Sequence, residues 1–156
     1  MPISYTLRPA TEGDYDFLYA LHVATIRDAV TATWGWDEGF QRTYFEERWD
    51  PGPRRIVVVE GQDVGMVQVE WYVDEVFLAL IEIAPDWQGR GLGSAVIADE
   101  QGQARQAGLP VTLHVLKANP KAKQLYERLG FVVVEEREER LVMRWEEVDQ
   151  GKVDDD

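Results

Sequence analysis

The chain has 156 residues, a formal net charge of −13, 45% hydrophobic residues, 6 Trp and no Cys. That length fits one domain, and the absence of Cys removes disulfides, thiolate metal ligands and Cys nucleophiles together; with only His22 and His114, no metal site is expected. The acidic balance argues against nucleic acid and anionic membranes as partners. No run of about 18 apolar residues could span a bilayer, and Met1 to Tyr5 does not look like a signal peptide, so a cytoplasmic protein is expected. The charge could draw in a cationic acceptor, but much of the excess is peripheral and serves solubility. Glu135 to Arg140 reads as an exposed turn, and residues 149–156 read as a disordered acidic tail after a single domain over 1–148.

Ile3 to Arg8 alternates like an edge strand. Thr11 and Asp14 have capping-box spacing before a helix through Phe17, Leu18, Leu21, Ala24 and Ile26. A second helix is expected from Asp37 to Arg48, with Phe40 and Tyr44 on one face. Arg55 to Glu60, Val64 to Val73 and Val76 to Ile83 read as a three-strand meander, turned at Gly61-Gln62-Asp63 and at Asp74-Glu75. A helix follows from Leu92 to Ala107, stopped by Gly108 and Pro110. Its Glu100 and Gly102 predict shallow packing of the second half, since Gly costs about 1 kcal/mol against Ala in a helix. Val111 to Leu116 is another strand, a short helix begins at Asn119, and Phe131 to Val134 with Leu141 to Trp145 form a last hairpin. The order β-α-α-β-β-β-α-β-α-β-β is that of an α/β protein with a mixed sheet.

Between the meander and the third helix lies Gln88-Gly89-Arg90-Gly91-Leu92-Gly93-Ser94. Glycines let backbone approach a ligand closely, and a helix start leaves its first N–H groups unpaired at the positive end of its dipole, which suits phosphate. No Lys follows the glycines, so the loop is not a Walker P-loop. The dinucleotide spacing would need Gly where Ser94 or Val96 stands. A second segment, Asn119-Pro120-Lys121-Ala122-Lys123-Gln124-Leu125-Tyr126-Glu127-Arg128-Leu129-Gly130-Phe131, reads as one helix. Asn119 is its N-cap, Pro120 takes its first position, and Ala122, Leu125, Tyr126 and Leu129 share a face.

The first loop, Q-x-x-G-x-G after a strand and a Pro, resembles the acetyl-CoA pyrophosphate loop of the GCN5-related N-acetyltransferases (GNAT). The second segment matches their N-x-x-A-x-x-L-Y-x-x-x-G-F. From Ile3 to about Trp145 the chain resembles small bacterial members of this family. The resemblance implies a central, mostly antiparallel sheet of six to seven strands with about four helices. It also implies direct acetyl transfer from acetyl-CoA to a primary amine, on a small molecule or a peptide, with no metal; a homodimer is an open expectation. A non-catalytic acyl-CoA sensor on the same scaffold is the alternative.

By the same resemblance, Gln88, Gly89, Arg90, Gly91, Leu92, Gly93 and Ser94 hold the pyrophosphate. Backbone groups at Ile81 and Ile83 run beside the pantetheine, the Ile83 N–H faces the oxyanion, and Asn119 borders the pantetheine or acceptor while capping its helix. Tyr126 is the expected acid toward the leaving thiolate, with a plain core aromatic as the competing reading. The base is open. The family position four residues before Ile83 is Ala79, which carries no base. His114 stands where some N-terminal acetyltransferases carry a Glu, with a partly buried structural His as the competing reading. Glu82 is a second candidate, since a charge in an apolar strand is costly unless paired or functional. Glu70 is a third, and pairing with an Arg would explain either Glu. Trp34 and Trp36 lie in a segment that in this family borders the acceptor; a hydrophobic lid is the competing reading.

Overall fold

The computed structural model describes residues 3–147; the expected acidic tail at 149–156 lies outside the described residues. The elements are β1 (Thr6–Pro9), α1 (Tyr15–Trp34), α2 (Glu38–Glu47), β2 (Arg54–Val59), β3 (Gln62–Trp71), β4 (Val76–Ile83), α3 (Leu92–Ala107), β5 (Val111–Leu116), α4 (Pro120–Arg128), β6 (Val132–Glu136) and β7 (Arg140–Trp145). The strands form one sheet in the order β1-β2-β3-β4-β5-β7-β6. Only β4 and β5 run parallel. The expected element order and mixed sheet hold.

Strand alternation sends side chains to two separate cores. On one face, Val57, Val67, Val76, Leu78, Leu113 and Val115 pack with Leu92, Val96, Ile97 and Ala104 of α3 and Tyr126 of α4. On the other, Ile56 and Met66 pack with Leu18, Tyr19 and Leu21 of α1 and Phe45 of α2. Phe40 and Tyr44 share one face of α2, as expected, and that face is turned to solvent. Phe40 and Tyr44 are exposed and rest against each other with ring centroids 5.8 Å apart, whereas Phe45 is buried. α2 crosses the sheet with Phe45 inward, between Tyr15, Tyr19 and Trp49.

A departure concerns α3. Its second half is buried through Ala104, not shallow. Glu100 accepts a bond from Arg55 Nη2 at 3.0 Å, and Gln101 Nε2 donates to the Leu129 carbonyl at 2.9 Å. Both polar side chains enter the interior because each meets a partner there. The β2–β3 turn is also tighter than expected: Glu60 and Gly61 alone make it, with φ of 51° and 78°. Two consecutive positive φ values give the hairpin twist that matches the strands.

Asp14 fixes the entry to α1. It closes the expected capping box by accepting from the Thr11 N–H at 2.8 Å, ahead of a short 3-10 turn at Glu12–Asp14. Arg8 of β1 holds the same carboxylate through two bonds of 2.8 and 3.0 Å. The Arg8 bonds, more than the Thr11 N–H, bring the Asp14 carboxyl down to about 2. A carboxyl whose folded pKa lies below its unfolded value contributes stability above the unfolded pKa, near 4, and loses it as pH falls toward 2. Asp14→Asn should therefore cost about 1–2 kcal/mol near neutral pH. Thermal denaturation from pH 7 to pH 2 should show the variant and the parent converging at the acid end.

Candidate active site

The parallel pairing of β4 with β5 is brief: Val76, Phe77 and Leu78 sit opposite Val111, Thr112 and Leu113, and there it stops. Both strands continue, β4 to Ile83 and β5 to Leu116, so the sheet is split beyond Leu78. β4 meanwhile stays bonded to β3, with a register shift at Gln68/Val69 that leaves Ala79 unmatched. Gly65 lies opposite Ile83, and the Ala84 N–H donates to the Val64 carbonyl at 2.8 Å. Hydrogen-bonded and non-bonded pairs alternate along an antiparallel ladder. Ala84 and Glu82 therefore bond toward β3, while the backbone groups of Ile83 and Ile81 turn toward the split. These backbone groups have lost a strand partner, and an extended ligand could supply one.

The close approach of β3 at this point depends on Gly65. A Cβ there would lie 2.6 Å from the Glu82 carbonyl oxygen and 2.9 Å from Ile83 Cδ1.

The glycine loop sits at the end of the split. Gln88 turns back and donates from Nε2 to the Ile83 carbonyl at 2.8 Å, tying the loop to β4. Gly91 is the N-cap of α3 in left-handed conformation, φ 82°, and no side chain caps the helix. Gly89 is also left-handed, φ 76°, and the Cβ positions of both glycines look into open space. The first N–H groups of α3 are thus free of an intrahelical bond and unscreened. Arg90 lies over the Trp87 ring at 4.6 Å, adding a cation beside them. Leu92 is buried, and Gly93 sits in van der Waals reach of Leu125 and Ile83, which joins this helix start to α4. The donor set and the open cradle fit a diphosphate. Ser94 follows in the first turn of α3.

On α4, Asn119 caps the helix by accepting from the Ala122 N–H at 3.2 Å. Tyr126 is buried, its ring edge-on to Phe131 with centroids 5.9 Å apart. Burial, and secondarily the Glu82 charge, push its hydroxyl up to about 12.

Glu82 belongs to the α1/α2 face and has only 3% of its side chain exposed. Its partner is not an Arg, the competing explanation for a charge in this strand, but a His. Oε2 lies 2.6 Å from Nδ1 of His22 on α1, while Oε1 is buried with no hydrogen-bond partner. Sequence reasoning had set His22 aside. Helix spacing from the buried Leu18 and Leu21 could have placed it on the inward face of α1. Arg54 was missed as well. It is 7% exposed, its Nε has no partner, and its guanidinium lies over Phe45 and Trp49 at 5.3 and 5.5 Å.

His114 projects from β5 just beyond the last paired position, edge-on to Phe77 at 5.3 Å. Burial lowers its pKa first, and Arg137 and Arg140 add to the effect, so the ring is neutral near pH 7. It lines a 480 Å³ groove with Tyr72, Val73, Asp74, Glu75 and Phe77. An adjoining 660 Å³ groove, also walled by Phe77, contains Tyr44, Arg48, Arg54, Glu70, Ala79 and Leu80. Glu70 is bonded there to Gln68 and Tyr72, again not to an Arg. Trp34 ends α1, largely exposed; Trp36 donates to Glu38 at 3.0 Å and lies under Arg27. Neither Trp lines these two grooves.

Among known proteins, the profile of the Acetyltransferase (GNAT) family matches residues 18–131. The chain belongs to that family. A mycothiol acetyltransferase of Nocardiopsis dassonvillei is 44% identical over 77 residues, covering 49% of this chain and 20% of that protein. Another mycothiol acetyltransferase, of Thermobifida fusca, is 42% identical over 75 residues, covering 47% and 20%. The chain thus spans about a fifth of the length of these curated relatives. Its GNAT fold is shared with the PaiA N-acetyltransferase of Thermoplasma acidophilum in complex with coenzyme A, at TM-score 0.73 and 13% identity over 93% of this chain and 100% of that one. It is shared too with the ribosomal-protein-S18-alanine N-acetyltransferase of Escherichia coli, at TM-score 0.65 and 20% identity over 91% and 93%. Among the described residues no helix is long and apolar enough to cross a membrane, and no cluster of His, Asp and Glu is arranged to hold a metal.

Substituting Gly65 should disturb the split at its base. Gly65→Ala is expected to cost about 1–3 kcal/mol by overpacking, a drop of several degrees in the calorimetric midpoint. An unchanged midpoint would mean that β3 and β4 part there without penalty.

Proposed function

We propose that this protein transfers an acetyl group from acetyl-CoA directly to a primary amine. The observation that carries this reading is the split between β4 and β5, with strand-like donors at Ile81 and Ile83 leading to an uncapped helix start at Gly91. In this reading the pyrophosphate meets the Gln88–Ser94 loop and the Arg90 charge, the pantetheine runs along Ile81 to Ile83 past Asn119, and the amine enters from the α1/α2 face.

Glu82 is the base in this reading, supported by its unpartnered, buried Oε1. Oε1 takes a proton from the acceptor ammonium, directly or through water, and His22 holds the other carboxylate oxygen in place. The neutral nitrogen attacks the thioester carbonyl, and the N–H of Ile83 donates to the oxyanion. When the C–S bond breaks, Tyr126 supplies a proton to the thiolate, and the second proton, shed by the attacking nitrogen as the amide forms, returns to the Tyr126 phenolate directly or through water. With its hydroxyl pushed up to about 12, Tyr126 keeps that proton throughout the neutral range. His114, neutral and on the acceptor side, is the competing base. The sensor alternative draws on Ala79, which leaves the bulge of β4 without a proton acceptor.

The decisive assay is thiol release from acetyl-CoA with a panel of polyamines, aminoglycosides, amino acids and peptides. The chain has no Cys, so a thiol reagent reports only the CoA formed. Cofactor binding without release on any amine would favour the sensor. Glu82→Gln should lower kcat about 10²–10⁴-fold, with acetyl-CoA affinity within about two-fold by titration, whereas His114→Ala should leave kcat within about three-fold. The reverse pattern would transfer the role of base to His114. Tyr126→Phe should lower kcat about 10-fold or more while acetyl-CoA still binds; full turnover in that variant removes Tyr126 from the mechanism. Gly91→Glu should abolish acetyl-CoA binding by clash and repulsion, and retained binding would sink the loop assignment.

A further inference from the structure

The row of side chains that faces α2 holds a cation that acetyl transfer by itself does not need. Arg54, Gln68 and Leu80 are cross-strand neighbours on β2, β3 and β4, and the adjoining row is Ile56, Met66 and Glu82. All of these lie on the face where the amine would enter. Arg54 is more than nine-tenths buried and lines the 660 Å³ groove with Gln68 and Leu80. Among the described residues its guanidinium makes no ion pair, and its Nε has no hydrogen-bond partner. Its neighbours are the faces of Phe45 and Trp49. The carboxylates that act on it, Glu82 and Asp50, do so only through space. Glu82 is held by His22, and Asp50 accepts from the Gly52 N–H at 2.9 Å.

Burying a guanidinium without a hydrogen-bonding counter-ion is costly. The three other charges on the groove wall are already engaged: Asp50 by the Gly52 N–H, Glu70 by Gln68 and Tyr72, and Arg48 over the Tyr44 ring at 3.6 Å. Arg54 is left as a forked donor open to a planar anion.

Building on the proposed acetyl transfer, we infer that the acceptor carries a carboxylate close to its amine, and that Arg54 receives it. The acceptor is then an amino acid, or a short peptide or conjugate with a free carboxylate. Its ammonium end approaches Glu82 while its carboxylate end pairs with the adjacent Arg54. A polyamine or an aminoglycoside, with no anion to offer, would leave Arg54 unpaired and add a second cation beside it.

The test compares matched acceptors, free amino acids and dipeptides against their C-terminal amides, in the thiol-release assay with acetyl-CoA saturating. The amide's amine loses its proton more readily, so the comparison is biased against the inference. The acid is expected to exceed its amide by at least about ten-fold in kcat/KM, because a site built to bond a group rejects the analogue that lacks it. In Arg54→Gln the ratio should fall toward one, with Arg54→Lys between. Equal rates on acid and amide, exclusive use of polyamines or aminoglycosides, or an undiminished ratio in Arg54→Gln would each overturn the inference and leave acetyl transfer standing. No release with any amine, while acetyl-CoA binds, would overturn the acetyl-transfer reading and the inference with it. Should Arg54→Gln fail to fold, the wild-type ratio and the Arg54→Lys variant decide.

Discussion

The geometry of the site depends on one interruption, the end of β4–β5 pairing after Leu78 and Leu113. A parallel pair that ran its full length would close the sheet and satisfy every backbone group of Ile81 and Ile83. The interruption is held from both sides. β4 cannot follow β5, because its ladder with β3 continues to Ile83, tightened where Gly65 lets the two backbones come close. β5 cannot follow β4, because it is paired with β7 over its full length, Val111 to Leu116. Each strand has a better partner on its outer side, so the split is a stable feature of the fold.

The two faces of the sheet then take different tasks. The α3/α4 face is nearly all aliphatic, and its polar intrusions, Glu100 and Gln101, are matched by Arg55 and the Leu129 carbonyl. That face fixes the glycine loop and Tyr126 rigidly. The α1/α2 face carries polar atoms with no partner, Oε1 of Glu82, Nε of Arg54, Oγ1 of Thr112 and the Tyr15 hydroxyl, the last within an aromatic cluster with Tyr19, Phe45 and Trp49. Unsatisfied buried groups cost about 1–3 kcal/mol each. Their concentration on one face, next to the split, matches the expectation that local rules fail where a ligand belongs.

Most of the fold was legible because its signals are local. The capping box at Thr11, the Asn119 and Pro120 helix start, the Gly108 stop and the alternating meander each state a boundary within a few residues. The glycine loop was legible for the same reason, as a contiguous motif. What escaped were contacts made across the sheet. Nothing near His22 in sequence announces Glu82, and Arg54 looks like any strand-end Arg until α2 lays Phe45 over it. The competing reading of Glu82, pairing with an Arg, failed in this way: its bonding partner is a His from a helix 60 positions away. The shared face of Phe40 and Tyr44 was legible on α2, but that Phe45 is the residue turned inward is decided by docking on the sheet.

The proposed acid and base are also coupled. The Glu82 charge helps to hold the Tyr126 proton, second only to burial. In the proposed mechanism Glu82 takes a proton from the incoming amine, which neutralises that charge. That proposed order, base before acid, is the order in which attack and thiolate departure need them. The buried setting of both groups keeps this influence from being screened by water. In that reading, proton uptake on one face of the sheet and proton release on the other meet at the split, where Glu82 sits one residue from the Ile83 N–H.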